Sequence, residues 1–406
     1  MLKRITIFLL TVILASFAYS DGSALAGLHG DRIRPYLSVR EVYDDNIFRV
    51  RDEGQLKSSI GDDQLADYLT IYTLGLNLDY RWSRQGLGVQ MRKDFLRYGH
   101  YTSQNSGQDD VRGDLSLRVL DRISAKITGG YSRLIESKES YRTQEKNERT
   151  TKAAGISLAY KLPSGVDIHT ALSQEEVDFS LSELNSRENT RRGYSGGISY
   201  SPSPDTGFDV HYERNIIDYD ITQFIGGRPV NNDNVGESVR AGFRRGFSPG
   251  TLLSINTGYL WRGHREFSGR DFEGVVGKAG VNYSMTGKLT LSLTAERRLY
   301  EEIFLDQIYS ANDSIGLGLV YRPAAKIDVS IYGGASTKTF NGDSDIVTDS
   351  GTAREDRFKE FRTGIAWSPV RSFVADLRYS NTARDSNFDI YNYRDNILEG
   401  GISYKF

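Results

Sequence analysis

The sequence predicts an all-β protein: a single transmembrane antiparallel up-and-down barrel of about eighteen strands (sixteen is the alternative), with short periplasmic turns and long extracellular loops. Three observations predict it. Apolar and polar residues alternate along one segment after another, the connections alternate between short and long, and aromatic residues recur where segments enter the short connections.

Composition narrows the field first. The chain has 406 residues, net charge −2, 41 Gly, 25 Tyr, 18 Phe and no Cys. Its mean hydropathy of −0.47 excludes a bundle of membrane-spanning helices. The near-neutral charge excludes the basic field of a nucleic-acid binder, so no nucleic-acid partner is expected. Without Cys there is no disulfide scaffold, thiolate metal site, cysteine nucleophile or lipoprotein acylation. A chain at once aromatic, glycine-rich and polar fits a β protein that meets lipid on one face only.

The first residues address the compartment. Met1-Leu2-Lys3-Arg4 is a basic start, Ile5 to Ala18 is mostly apolar, and small residues follow. This is the layout of a secretory signal peptide over residues 1–20, with cleavage after Ser20 or Ala26. The barrel is then expected over residues 27–406, in the bacterial outer membrane.

Period-two alternation marks strands with one face in an apolar setting. Ile315, Leu317, Leu319 and Tyr321 share a face, against Ser314, Gly316 and Gly318. Phe373, Ala375, Leu377 and Tyr379 oppose Asp376, Arg378 and Ser380. Short connections fall near Ser83 to Gly86, Asp121-Arg122, Pro163 to Gly165, Pro202 to Thr206, Ser248 to Gly250, Met285 to Gly287, Arg322 to Ala325 and Ser368 to Arg371. Prolines 163, 202, 204, 249, 323 and 369 sit in these turns, where no ladder N–H is needed. Long polar loops lie between them, the first at Asp44 to Gln64, others at Tyr219 to Gly236 and Asn341 to Glu355. Two places are faint: that first loop, and the weak alternation of Val166 to Phe179. No helix is expected anywhere.

Strand ends entering short turns carry Trp82, Tyr160, Tyr200, Phe247, Tyr283, Tyr321 and Trp367, each in the apolar phase of its strand. An amphipathic ring is most stable at the headgroup level, so these form the expected periplasmic girdle. The chain ends in Ile402-Ser403-Tyr404-Lys405-Phe406, and a terminal Phe in the lipid-facing phase resembles the signal read by the outer-membrane insertion machinery. Membrane lipid and that machinery are the expected partners.

The opposite phase is the expected lumen. It includes Arg92, Asp94, Arg112, Asp114, Arg118, Arg240, Arg244, Glu296, Arg298, Arg362, Asp376 and Arg378. Acids and bases alternate two residues apart, so cross-strand pairing neutralises much of the wall, and no single-sign ring of a strongly selective pore is apparent. Few aromatics fall in this phase; Tyr332 is one.

Catalytic chemistry finds little support. The chain holds only His29, His100, His169, His211 and His264. Gly165-Val166-Asp167-Ile168-His169 and Gly207-Phe208-Asp209-Val210-His211 repeat one hairpin solution. Two strands apart, their imidazoles would lie roughly 10 Å from one another, too far to share an ion. No spacing singles out a serine for a triad, and acidic clusters such as Gly61-Asp62-Asp63 or Asn341 to Asp345 suit loop turns as well as cations. No enzymatic activity, cofactor or metal is expected.

Two segments are more particular. Tyr43-Asp44-Asp45-Asn46-Ile47-Phe48-Arg49 follows the first strand, and Tyr393-Arg394-Asp395-Asn396 opens the last. An opening strand ending in Y-D-D-N, a hydrophobic residue, F and R resembles the β-barrel porin 2 family of outer-membrane proteins. It is especially similar to EpsL-like members found with exopolysaccharide machinery. The resemblance implies an outer-membrane barrel associated with polysaccharide synthesis or export, with a polysaccharide or its export complex as partner, and supplies no catalytic residues. Taken by themselves, Asp44, Asp45 and Asn46 sit where short polar side chains can bond a turning backbone, while Ile47 and Phe48 pack into the barrel mouth. A general diffusion porin and a non-conducting structural or adhesion barrel are the alternatives. Porins usually fold a long third loop inward, and the longest loops here are the first, fifth and eighth.

Overall fold

The computed structural model describes residues 33–136, 145–225, 228–266, 271–301, 309–341 and 353–406. The expected signal peptide, both cleavage positions and the Asp343 to Asp345 cluster lie outside the described residues.

In chain order the strands are β1 (Ile33–Asp44), β2 (Asp67–Trp82), β3 (Gln85–Tyr98), β4 (Ser106–Arg118), β5 (Ile123–Ile135), β6 (Glu148–Lys161), β7 (Val166–Phe179), β8 (Asn189–Ser203), β9 (Thr206–Tyr219), β10 (Gln223–Ile225) and β11 (Arg228–Val230). They continue with β12 (Asn234–Ser248), β13 (Thr251–His264), β14 (Phe272–Thr286), β15 (Leu289–Glu301), β16 (Tyr309–Ala324), β17 (Ile327–Asn341), β18 (Glu355–Val370), β19 (Phe373–Ser386) and β20 (Tyr393–Lys405). β10 and β11 pair only with each other. The rest form one 18-stranded antiparallel sheet that closes because β1 pairs with both β2 and β20. Closure leaves the sheet without an edge strand, as a wall of strands in lipid requires. The sixteen-strand alternative falls, and the faint Val166–Phe179 segment is a full strand of 14 residues.

The short turns are as tight as the sequence implies. Only Ser83 and Arg84 separate β2 from β3, and Ser83 accepts a left-handed φ of 51° to make the reversal. Gly165, at φ 80°, turns β6 into β7 without the Cβ cost that Ser83 bears. Both termini of the barrel meet at this rim: Tyr36 is in register with Lys405, and the Phe406 N–H donates to the Pro35 carbonyl (3.0 Å).

Apolar side chains of the outward phase stand bare, Leu317 at 56% and Ile402 at 54% exposure, because lipid is their missing neighbour. Among the described residues, the buried apolar cluster lies at the extracellular mouth. There Ile47, Phe48, Val50, Leu56, Ile60 and Tyr101 pack together, with Leu65 and Tyr98 against them.

The expectation of a helix-free chain is corrected here. The first long loop contains an α-helix, α1 (Glu53–Ile60), capped at both ends. Asp52 accepts the Gln55 N–H (2.8 Å), Gln55 Oε1 accepts the Arg51 N–H (2.7 Å), and Gly61 closes the helix in the left-handed conformation. Capping satisfies the free Gln55 N–H at one end of this short helix and the Lys57 carbonyl at the other. Burial of Leu56 and Ile60 supplies the tertiary packing it could not do without.

Candidate functional site

The two particular segments meet at the closing seam. Asp45 accepts both the Asn396 backbone N–H and its Nδ2, each at 2.7 Å, while the Asp45 N–H donates to the Asn396 carbonyl (3.1 Å). Asn46 Nδ2 donates to the carbonyls of Val50 (2.7 Å) and Arg394 (2.8 Å), and its Oδ1 accepts the Val50 N–H (3.0 Å). Asp44 accepts the Asn46 N–H (2.8 Å). Tyr43 points outward and tilts against Tyr68, with ring centroids 5.0 Å apart. Polar side chains thus bend the chain back over the mouth and hold it to the last strand.

From that bend the loop between β1 and β2 forms a cap. Phe48 meets Tyr101 edge-on at 4.8 Å, and Arg49 reaches Asp395 Oδ2 at 3.2 Å. Asp67 accepts the backbone N–H groups of His100 (2.8 Å) and Tyr101 (2.9 Å), fixing the neighbouring loop as the other half of the core. Gln55 Nε2 donates to the Ile390 carbonyl (2.8 Å), tying the cap to the loop before β20. Burial, reinforced by the charges of Asp62, Asp67 and Asp63, pushes the Tyr101 phenol up to about 12. The His100 imidazole 2.9 Å from Asp62 is the main reason that this carboxyl is held below its usual range. Asp62 therefore fastens the cap to its neighbouring loop. The first loop, rather than a third, turns inward.

Below the cap, the charges named from sequence lie in the phase opposite the exposed apolar residues. Arg92 pairs with Asp94 (3.2 Å) and Asp110 (3.7 Å), and Arg112 with the same Asp110 (3.0 Å). Asp114 meets Lys126 (3.6 Å), Arg240 meets Glu213 (3.8 Å), and Glu296 meets Lys278 (3.1 Å). Arg378 joins Asp376 (3.1 Å) to Glu399 (3.4 Å), which Arg40 also reaches across the seam (2.9 Å). Arg362 pairs with Glu360. Arg118 and Asp114 line an 840 Å³ cavity toward the periplasmic rim, Arg244 lies beside Gly207, and Arg298 stacks on the Tyr300 ring at 5.0 Å.

Two features of this wall depart from the sequence reading. Bases are not evenly mixed with acids: one 770 Å³ cavity presents Arg149, Arg191, Arg240, Arg262, Lys278 and Arg298 against Glu213 and Glu296. Inward aromatics are not few, because Tyr36, Tyr300, Phe340, Phe358 and Tyr393 share the phase of Tyr332 on their strands. Tyr332 lies flat against the sheet, where a Cβ on Gly316 or Gly334 would collide with its ring. Tyr332, Phe358 and Tyr393 line a 490 Å³ cavity into which the cap contributes Arg49. These rings could have been found from phase alone, since Tyr300 is two residues beyond Arg298.

His169 and His211 both face inward, and Gly197 on the strand between them leaves room for the rings. A Cβ there would stand 2.6 Å from His169 Nε2 and 2.7 Å from His211 Cβ. They are therefore much nearer than strand spacing implies. His211 Nδ1 lies 3.4 Å from Asp209.

On the outside, Trp82, Tyr160, Tyr200, Phe247, Tyr283, Tyr321 and Trp367 stand exposed at the ends of strands entering short turns. Phe406 is exposed in the same outward phase, edge-on to Tyr404 with centroids 5.0 Å apart.

Comparison with known proteins agrees with this geometry. No curated protein matches the chain. Among solved structures it is similar to OccAB3 of Acinetobacter baumannii (TM-score 0.52, 12% identity, 92% of this chain and 99% of that one). It is also similar to OpdK of Pseudomonas aeruginosa with vanillate (0.51, 10%, 92% and 99%) and OpdQ of the same organism (0.51, 13%, 92% and 97%). At these identities the likeness is one of fold. Residues 32–406 match the model of the family described as "Putative beta-barrel porin 2". With the whole barrel covered, the chain belongs to that family and is a porin-like β-barrel of the bacterial outer membrane.

Proposed function

We propose that the protein is a passive channel for hydrophilic solutes, narrowed at its extracellular mouth by the inward-folded first loop and favouring anions over cations. One observation carries this reading: a closed barrel of eighteen strands is polar and charged on its inward phase and apolar outside. That strand number is wide enough for an aqueous passage. The basic cavity between β6 and β15 supports the anion preference, and vanillate, with which OpdK was solved, is a small anion of the kind such a wall favours.

Single-channel recording of the refolded protein in a planar bilayer tests it. Steady ohmic openings, with a reversal potential in a salt gradient displaced toward that of the anion, are expected. A silent barrel that still migrates differently boiled and unboiled would overturn the channel reading and favour a structural or adhesion barrel.

Association with exopolysaccharide synthesis or export, which the resemblance to EpsL-like members implies, is the narrower reading. Tyr332, Phe358 and Tyr393 favour it, since ring faces stack on pyranoses and the nearby Glu360, Thr382 and Arg49 offer hydroxyl partners. Neutral oligosaccharides added to the open channel should then cause transient closures that Tyr332→Ala shortens. Uninterrupted current would argue against a sugar path. Insertion of the barrel through its terminal Phe406 is part of the same proposal, and a Phe406 deletion should lower its yield in outer membranes.

A further inference from the structure

The Y-D-D-N segment has a feature that neither backbone bending nor conduction uses. One carboxylate oxygen of each of Asp44, Asp45 and Asp395 lies within 4.8 Å of the others. Acidic residues cluster often without purpose, so the decisive point is how their oxygens are occupied. Asp45 is engaged by Asn396 through both oxygens, Asp44 Oδ1 by the Asn46 N–H, and Asp395 Oδ2 by Arg49. Asp395 is only 2% exposed, and its Oδ1 is buried without an N–H donor; its carboxyl lies within hydrogen-bond reach of that of Asp44, where two carboxylates repel unless a proton or a cation stands between them. A buried carboxylate oxygen with no partner is costly.

Charge leads to the same place. When all three are ionised, the carboxylates face one guanidinium, Arg49, leaving an excess of two negative charges that one divalent cation would balance. We propose that Asp44, Asp45 and Asp395 form a calcium site that locks the root of the cap to the closing seam. All donors are oxygen, the preference of a hard cation and not that of zinc. Calcium binds oxygens at about 2.3–2.6 Å, so ligands on opposite sides of the ion stand roughly 5 Å apart, and the observed spread fits inside that sphere. The ion would join β1, the cap and β20 at one point, 351 residues apart in sequence as Asp45 and Asn396 already are. Asp395 Oδ1 would gain its missing partner.

The test uses the mature barrel refolded in detergent without lipopolysaccharide, stripped with EDTA and titrated with Ca²⁺ by calorimetry. Binding of one ion per barrel is expected for the natural chain, roughly tenfold or more weaker in Asp395→Asn. Ca²⁺ should also slow tryptic cleavage after the exposed Arg51 and Lys57 of the cap in the natural chain and not in the variant. Absence of one-to-one uptake, or uptake by Asp395→Asn and Asp45→Asn as tight as that of the natural chain, would overturn the site. Boiled and unboiled migration verifies folding, and Asp45→Asn decides alone should Asp395→Asn fail to form a barrel. None of these readouts depends on whether the barrel conducts.

Discussion

The two ends of the barrel are built differently. Toward the periplasm, β2 and β3 are joined by two residues, the outward side chains are large and bare, and the inward ones are small or charged around open space. Toward the outside, Phe48, Val50 and Leu56 are fully buried, and ion pairs such as Arg354–Asp356 (2.6 Å) are fully enclosed. One end is held by a hydrogen-bonded wall that lipid completes; the other also has a globular core. The difference predicts a division of labour in which the wall carries stability and the cap, with an apolar core of its own, controls the proposed passage.

Removing the cap would sharpen that division most. Replacing residues 47–64 with a short Gly-Ser link should leave boiled and unboiled migration distinct and raise single-channel conductance about twofold or more, as the narrowest part widens. Unchanged conductance would mean that the cap does not obstruct the path. Phe48→Ala, at the centre of the cap, should cost about 3–5 kcal/mol of local packing. The loss should appear as faster proteolysis after Arg51, with the denaturant midpoint of the whole barrel nearly unmoved. Should that midpoint fall as far, cap and wall are one cooperative unit.

Leu317→Arg tests the converse. It places a charge on the lipid face midway along β16 and should cost about 2–4 kcal/mol in barrel unfolding while leaving cap proteolysis as it was. The smallest effect is that of pH. Asp62 has a lowered native value, so its contribution is complete above the ordinary aspartate range near 3.9 and disappears as pH falls through that lowered value. Tyr101 has a raised native value, so its contribution is complete below about 10 and lost as pH rises toward about 12. Cap proteolysis should accordingly accelerate below the lower limit and above the upper one, and a rate unchanged at both would mean that neither Asp62 nor Tyr101 holds the cap.

Much of the wall was legible because its grammar is local. Strand phase follows from period-two alternation, so Trp82, Tyr160 and Trp367 could be assigned a side and a rim from their neighbours alone. Even the faint Val166–Phe179 strand obeys it; the signal is weak there because its outward face ends in Gln174, Glu176 and Asp178 at the extracellular end. The helix α1 had a readable signature in Asp52, Gln55 and Gly61, yet an eight-residue helix is marginal by itself and declares itself only through the core it joins. The basic cavity escaped because alternating signs along each strand say nothing about which heights coincide on neighbouring strands.

By itself, then, the chain determined the barrel, its strand phase and its family, because each is written in patterns among residues a few positions apart. Tertiary structure alone decided the fold-back of the cap, the meeting of Asp44 and Asp45 with Asp395, the gathering of bases on one wall and the approach of His169 to His211. Those depend on register around a closed sheet, where residues hundreds of positions apart become neighbours and no local pattern records the distance.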